Sequence, residues 1–72
     1  MIEFKTEDGF HFYKSGEAIF VSQGLGKIYR KIGDKEEVSA LSGFESEEQK
    51  VEFENRVREI IREVEVFESK LQ

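Results

Sequence analysis

Two patterns of apolar and polar positions divide the chain at about residue 42. In the first part, short apolar runs alternate with polar residues at a period of two, which is typical of strands with one buried face. In the last third, apolar residues recur at alternating spacings of four and three, which places them on one stripe of a helix. That stripe consists of Phe53, Val57, Ile60, Val64, Phe67 and Leu71.

The sequence contains six glycines and no proline, and the glycines separate the predicted strands. Strands are predicted at residues 2–6, 10–14, 18–22, 27–32 and 36–41. A three-residue loop that ends at Gly9 pairs Phe4 with Phe12 and keeps the apolar side chains of both strands on one face. Short turns join consecutive strands as antiparallel neighbours, so a meander is predicted.

The two faces of the predicted sheet differ in composition. A two-residue turn at Gly16-Glu17 places Ile19 and Val21 on the face of Phe4 and Phe12. In the fourth strand, Ile28 and Ile32 are predicted to point to that same face, which places Tyr29 on the opposite face. Five residues then form the predicted ligand face: Tyr13, Phe20, Tyr29, Lys27 and Lys31.

The helix is predicted at residues 46–71, and Ser46-Glu47-Glu48-Gln49 is typical of a capping box at its start. About 25 helical residues extend roughly 37 Å, whereas a six-residue strand extends only about 20 Å. We therefore expect the last turns to extend beyond the sheet. Val64, Phe67 and Leu71 lie in those turns, and they are predicted to pair with a second copy of the chain.

These elements predict an α+β fold for residues 1–72, taken as a single small domain. It consists of an antiparallel meander sheet of four to five strands, followed by one long C-terminal amphipathic helix packed on one face. A domain of 72 residues is marginal on its own. Such domains usually gain stability from disulfides, metals or oligomerisation.

Composition narrows this choice. The absence of cysteine excludes disulfides, and a single histidine leaves too few ligands for a structural zinc site. Oligomerisation remains, so a homodimer is predicted, without metal or cofactor. The sequence has no signal-peptide pattern and no apolar run long enough to span a bilayer. We therefore expect a cytoplasmic protein without membrane contact.

The sequence carries no pattern typical of an enzyme. His11 has no nearby set of partners, and the serines lack a nucleophile-elbow context. Gly24-Leu25-Gly26-Lys27 resembles a phosphate loop only superficially, because Val21 stands where the first glycine is needed and Ile28 stands where Ser or Thr is needed. No catalytic residue is predicted.

The net charge of -5 argues against strong binding to duplex DNA, for which a basic face normally supplies most of the affinity. The leading prediction is a non-enzymatic interaction module that self-associates through its C-terminal helix. Two alternatives stay open. The first is binding of single-stranded nucleic acid on the aromatic and basic sheet face. The second is inhibition of a basic protein partner by glutamates that mimic phosphates.

Overall fold

A computed structural model of the chain describes residues 1–24 and 26–71. These residues form five strands and one helix: β1 (Ile2–Lys5), β2 (Phe10–Ser15), β3 (Ala18–Gln23), β4 (Lys27–Ile32), β5 (Lys35–Ala40) and α1 (Glu47–Lys70). All neighbouring strands are antiparallel, in the order β1-β2-β3-β4-β5. The predicted α+β arrangement of a meander sheet and one long helix is confirmed. Leu25, part of the loop compared with a phosphate loop, lies outside the described residues.

The first two turns give β1, β2 and β3 the predicted register. Gly9, with a φ of +87°, closes the three-residue loop that pairs Phe4 with Phe12. Gly16, with a φ of +59°, begins the two-residue turn between β2 and β3. Glycine adopts this left-handed conformation at little cost because it has no Cβ. The two turns therefore keep the apolar residues of three strands on one face.

The predicted direction of the side chains in β4 is wrong. The register of β3 with β4 places Tyr29 directly opposite the buried Val21. Residues directly opposite one another in antiparallel strands lie on the same face. Tyr29 therefore faces the helix and is only 4 % exposed, whereas Ile28 and Ile32 face the other side.

The core lies between the sheet and one side of α1. The sheet contributes four of the buried side chains and the helix contributes the other four: Phe10, Phe12, Val21 and Tyr29, with Phe53, Val57, Ile60 and Val64. The Phe10 and Phe53 rings stack across the two layers, with their centroids 5.6 Å apart. This face of the sheet is called the helix face below, and the opposite one the open face.

The capping box predicted at the start of α1 forms one of its two hydrogen bonds. Ser46 Oγ accepts a hydrogen bond from the Gln49 backbone N–H at 3.1 Å. The Gln49 side chain donates to the Glu45 carboxylate at 3.2 Å and does not return to Ser46. The helix has 24 residues and extends about 36 Å. Its length is close to the 41 Å longest dimension of the molecule.

Candidate functional site

The predicted self-association residues at the end of α1 differ in their exposure. Val64 is 5 % exposed and belongs to the core of its own chain, so its predicted availability to a partner is wrong. Phe67 is 55 % exposed and Leu71 is 70 % exposed. The sheet therefore covers one more turn of the helix than the length comparison indicated, and the uncovered part begins after Val64.

An apolar groove lies between the last turns of α1 and β1. It has a volume of about 310 Å³ and is lined by Ile2, Phe4, Glu63, Val64 and Phe67. Ile2 and Phe4 are half-buried and pack against the edge of the core. The exposed apolar surface made by Ile2, Phe4, Phe67 and Leu71 is called the C-terminal patch below.

An ion pair holds the last turns of α1 against the sheet. Lys14 Nζ in β2 lies 2.7 Å from Glu68 Oε1, and both side chains are partly buried. Glu68 directly follows Phe67, so this pair tethers the helix turn that carries Phe67 to β2. A preorganised apolar surface loses less conformational entropy when it binds than a mobile one does.

The sequence analysis missed the contribution of β1 to this patch. The predicted topology could have indicated this contribution, because the first strand of a meander lies at an edge of the sheet. The alternation of β1 then places Ile2 and Phe4 on the helix face, beside whichever helix turn crosses that edge.

The structure divides the predicted ligand face between the two sides of the sheet. Tyr13 and Phe20 are directly opposite each other on the open face. Tyr29, Lys27 and Lys31 lie on the helix face instead, because their cross-strand partners in β3 do. The predicted combination of three aromatic side chains with two lysines is therefore wrong.

Tyr29 is a core residue with a polar end. Its hydroxyl donates a hydrogen bond to Glu36 Oε2 at 2.7 Å. Burial, with a smaller contribution from this hydrogen bond, raises the pKa of the Tyr29 phenol well above its usual value. The phenol therefore stays protonated while its ring fills the core, and it offers no surface on which a base could stack.

The two lysines from the predicted ligand face lie at separate margins of the helix. Lys27 lines a polar cleft near the start of α1, and Lys31 lines a second cleft beside Ile61 and Glu65. Long side chains of this kind cover apolar surface with their methylene groups while the ammonium group reaches water. The structure does not bring Lys27 and Lys31 to the aromatic pair of the open face.

A second ion pair ties the β1–β2 turn to the first half of α1. Arg56 Nε donates to Asp8 Oδ2 at 2.8 Å, and the guanidinium carbon lies 5.8 Å from the centre of the Phe10 ring. The hydrogen bond from Arg56, followed by one from the Thr6 hydroxyl, lowers the pKa of Asp8 to about 2. This tie joins residues 48 positions apart, and no local sequence pattern predicts it.

The open face carries Tyr13, Phe20, Ile28 and Ile32, and none of the described elements packs on it. Two side-chain contacts engage polar groups on or near this face. His11 Nε2 lies 2.7 Å from Glu3 Oε2, and Arg30 donates to Glu37 at 2.8 Å. Arg30 is also directly opposite Phe20, so one cation lies beside the aromatic pair.

Other chemistry receives no support from the described residues. Within residues 1–24 and 26–71, no group of three or more His, Cys, Asp or Glu side chains has the geometry to hold a metal ion. In that same part of the chain, no helix is both long and apolar enough to cross a membrane. The glutamates of the predicted inhibitor lie in β5, just before α1 and in the first half of α1: Glu36, Glu37, Glu45, Glu47, Glu48, Glu52 and Glu54.

Comparisons of this chain with protein-family models, with curated proteins and with solved structures find no match.

Proposed function

We propose that the protein is a non-enzymatic interaction module that self-associates through the C-terminal patch. The observation that carries this proposal is the exposure of Phe67, at 55 %, which lines an apolar groove at the sheet edge, together with that of Leu71, at 70 %, four residues further along the chain. An apolar groove with exposed aromatic and aliphatic side chains at its rim is typical of an interaction site.

The exposed areas indicate the strength of such an association. Full burial of a Phe or Leu side chain is worth about 1.5–3 kcal/mol, so the exposed part of each leaves roughly 1–2 kcal/mol unrealised. Two copies contribute four such side chains, or roughly 4–8 kcal/mol in total. Association costs a comparable amount in translational and rotational freedom, so these four side chains alone give at most a weak, reversible dimer.

A double variant, Phe67→Glu with Leu71→Glu, tests this proposal. We expect it to remain folded, with unchanged helical circular dichroism, and to have the monomer mass in light scattering at concentrations where the unmodified chain is dimeric. The matched control is Val51→Glu, which changes a 44 % exposed apolar residue on the same helix away from the patch. The control should keep the dimer.

Two results of this experiment would count against the proposal. If the double variant has the same mass as the unmodified chain, the C-terminal patch is not the interface. If it unfolds while the Val51→Glu control stays folded, Phe67 and Leu71 stabilise the domain core and do not serve a partner.

A second candidate function is binding of single-stranded nucleic acid on the open face. It is supported by the directly opposed Tyr13 and Phe20 side chains, with Arg30 beside them. Stacking on such side chains is worth about 1–3 kcal/mol per base. Fluorescence anisotropy with labelled single strands at low salt tests this function. Binding that Phe20→Ala weakens would support it, and the absence of binding would remove it.

A further inference from the structure

We infer that two copies pair through β1, so that their sheets join into one and Phe4 of each C-terminal patch meets its counterpart across the seam. This inference rests on the proposed self-association and specifies its geometry. β1 lies at an edge of the sheet, and on its outer side no described strand pairs with it. An edge strand of this kind presents unpaired N–H and C=O groups to a second chain.

The hydrogen bonds to β2 determine which backbone groups of β1 are available. The Thr6 N–H donates to the Phe10 carbonyl at 2.8 Å, so the backbone of Thr6 points to β2. Because the direction alternates along a strand, Phe4 also points to β2, whereas Glu3 and Lys5 point to the free edge. Pairing with a second copy must therefore use the backbone groups of Glu3 and Lys5.

Charge selects one register among those that this alternation permits. When Phe4 lies opposite Phe4 of the second copy, Glu3 lies opposite Lys5 of that copy, and the reverse pair forms by symmetry. A shift of two residues in one direction places Glu3 opposite Glu3, and the same shift in the other direction places Lys5 opposite Lys5. Like charges directly opposite each other destabilise a strand pair. The Phe4 register is therefore favoured, and it is self-complementary.

The same symmetry axis brings the Phe4 ends of the two C-terminal patches together. An axis normal to the sheet keeps both helices on one side and makes them antiparallel. Ile2, Phe4 and Phe67 of each copy line the groove next to the seam.

A charge exchange in β1 tests the register. Glu3→Lys alone, or Lys5→Glu alone, places like charges opposite each other at both symmetry-related positions. Each should raise the dimer dissociation constant about tenfold in sedimentation equilibrium. The double variant restores opposite charges and should return the constant to within about threefold of the unmodified chain.

Glu3 also makes a contact within its own chain, because Glu3 Oε2 lies 2.7 Å from His11 Nε2. Thermal unfolding at concentrations below dimerisation measures that intrachain effect for each variant. The double variant also places a glutamate at position 5, directly opposite His11, so an acidic neighbour of that ring is retained.

Disulfide trapping tests the same register independently of charge. The chain contains no cysteine, so Glu3→Cys and Lys5→Cys each introduce a single thiol. Directly opposite residues of this kind have Cα atoms about 5.5 Å apart, within disulfide range. A mixture of the two variants should form a covalent heterodimer under mild oxidation. Each variant alone should remain unlinked, since two copies of one position lie roughly 8 Å apart.

The outcomes distinguish this inference from the proposed function. A chain that stays monomeric at every concentration contradicts both. A dimer that neither charge exchange nor trapping affects contradicts pairing through β1 and leaves self-association in place. Assemblies that grow beyond the dimer indicate head-to-tail pairing of β1 with β5, the other edge strand, and also contradict the symmetric interface.

Discussion

Replacing Tyr29 with alanine tests which side of β4 faces the core. Its side chain is 4 % exposed, and truncation of a large buried aromatic residue typically costs about 3–5 kcal/mol. Tyr29→Phe removes only the hydrogen bond to Glu36 and should cost about 1 kcal/mol. Tyr13 provides a matched control on the open face. Tyr13→Ala should cost about 1 kcal/mol, because it mainly loses the cross-strand contact with Phe20.

Urea unfolding followed by circular dichroism measures these differences. The protein concentration should stay below that of dimerisation, since association would add to the apparent stability. Tyr29→Leu gives a smaller loss in the same direction and keeps the comparison measurable if the alanine variant unfolds. Equal losses for Tyr29→Ala and Tyr13→Ala, or a larger loss for Tyr13→Ala, would refute the assignment of Tyr29 to the core.

Three further predictions concern individual polar side chains. Arg56 lowers the pKa of Asp8 from 3.8 to about 2. The stability advantage of the unmodified chain over Asp8→Asn should therefore be complete above about pH 4 and lost as the pH falls to 2. Thermal unfolding at each pH measures this difference. Tyr13→Phe leaves Tyr29 as the one tyrosine of the chain. In absorbance titration, its phenol should stay protonated above the ordinary pKa of 10.0. The free energy of unfolding should fall as the pH rises further. Ser46→Ala removes the acceptor for the Gln49 N–H and should lower the free energy of unfolding by about 1 kcal/mol in urea titration.

The sequence was sufficient to predict β1, β2 and β3, since three independent signals agreed there. Apolar and polar residues alternate in β1 and at the start of β2, and Gly9 and Gly16 stand where tight turns need left-handed residues. Any slip by one residue would have moved the apolar set into water. The helix was predictable for a similar reason, because its apolar stripe and its Ser46 cap agree on where it begins.

The sequence was not sufficient to predict the faces of β4. Residues 27–32 alternate so that Ile28 and Ile32 lie on one side, and Tyr29 lies between lysines on the other. The number of apolar residues on each side favours burial of the side that carries Ile28 and Ile32. The register of β3 with β4 instead places Tyr29 on the helix face. Its ring is buried there, and its hydroxyl donates a hydrogen bond to Glu36.

The candidate site was only partly predictable because it depends on how the helix crosses the sheet. The stripe identifies Phe67 and Leu71 as apolar but does not determine which turn is the last to be covered. The ion pair between Lys14 and Glu68 lies at that limit, and it joins residues 54 positions apart in sequence. The contribution of Ile2 follows from the edge position of β1.

Sedimentation equilibrium of the unmodified chain tests the central claim most directly. The measurement should run from low micromolar to near-millimolar concentration at moderate salt. We expect a reversible transition from the chain mass of 8.4 kDa to twice that value, without larger species. A single species of 8.4 kDa over the whole range would contradict the claim that the C-terminal patch joins two copies.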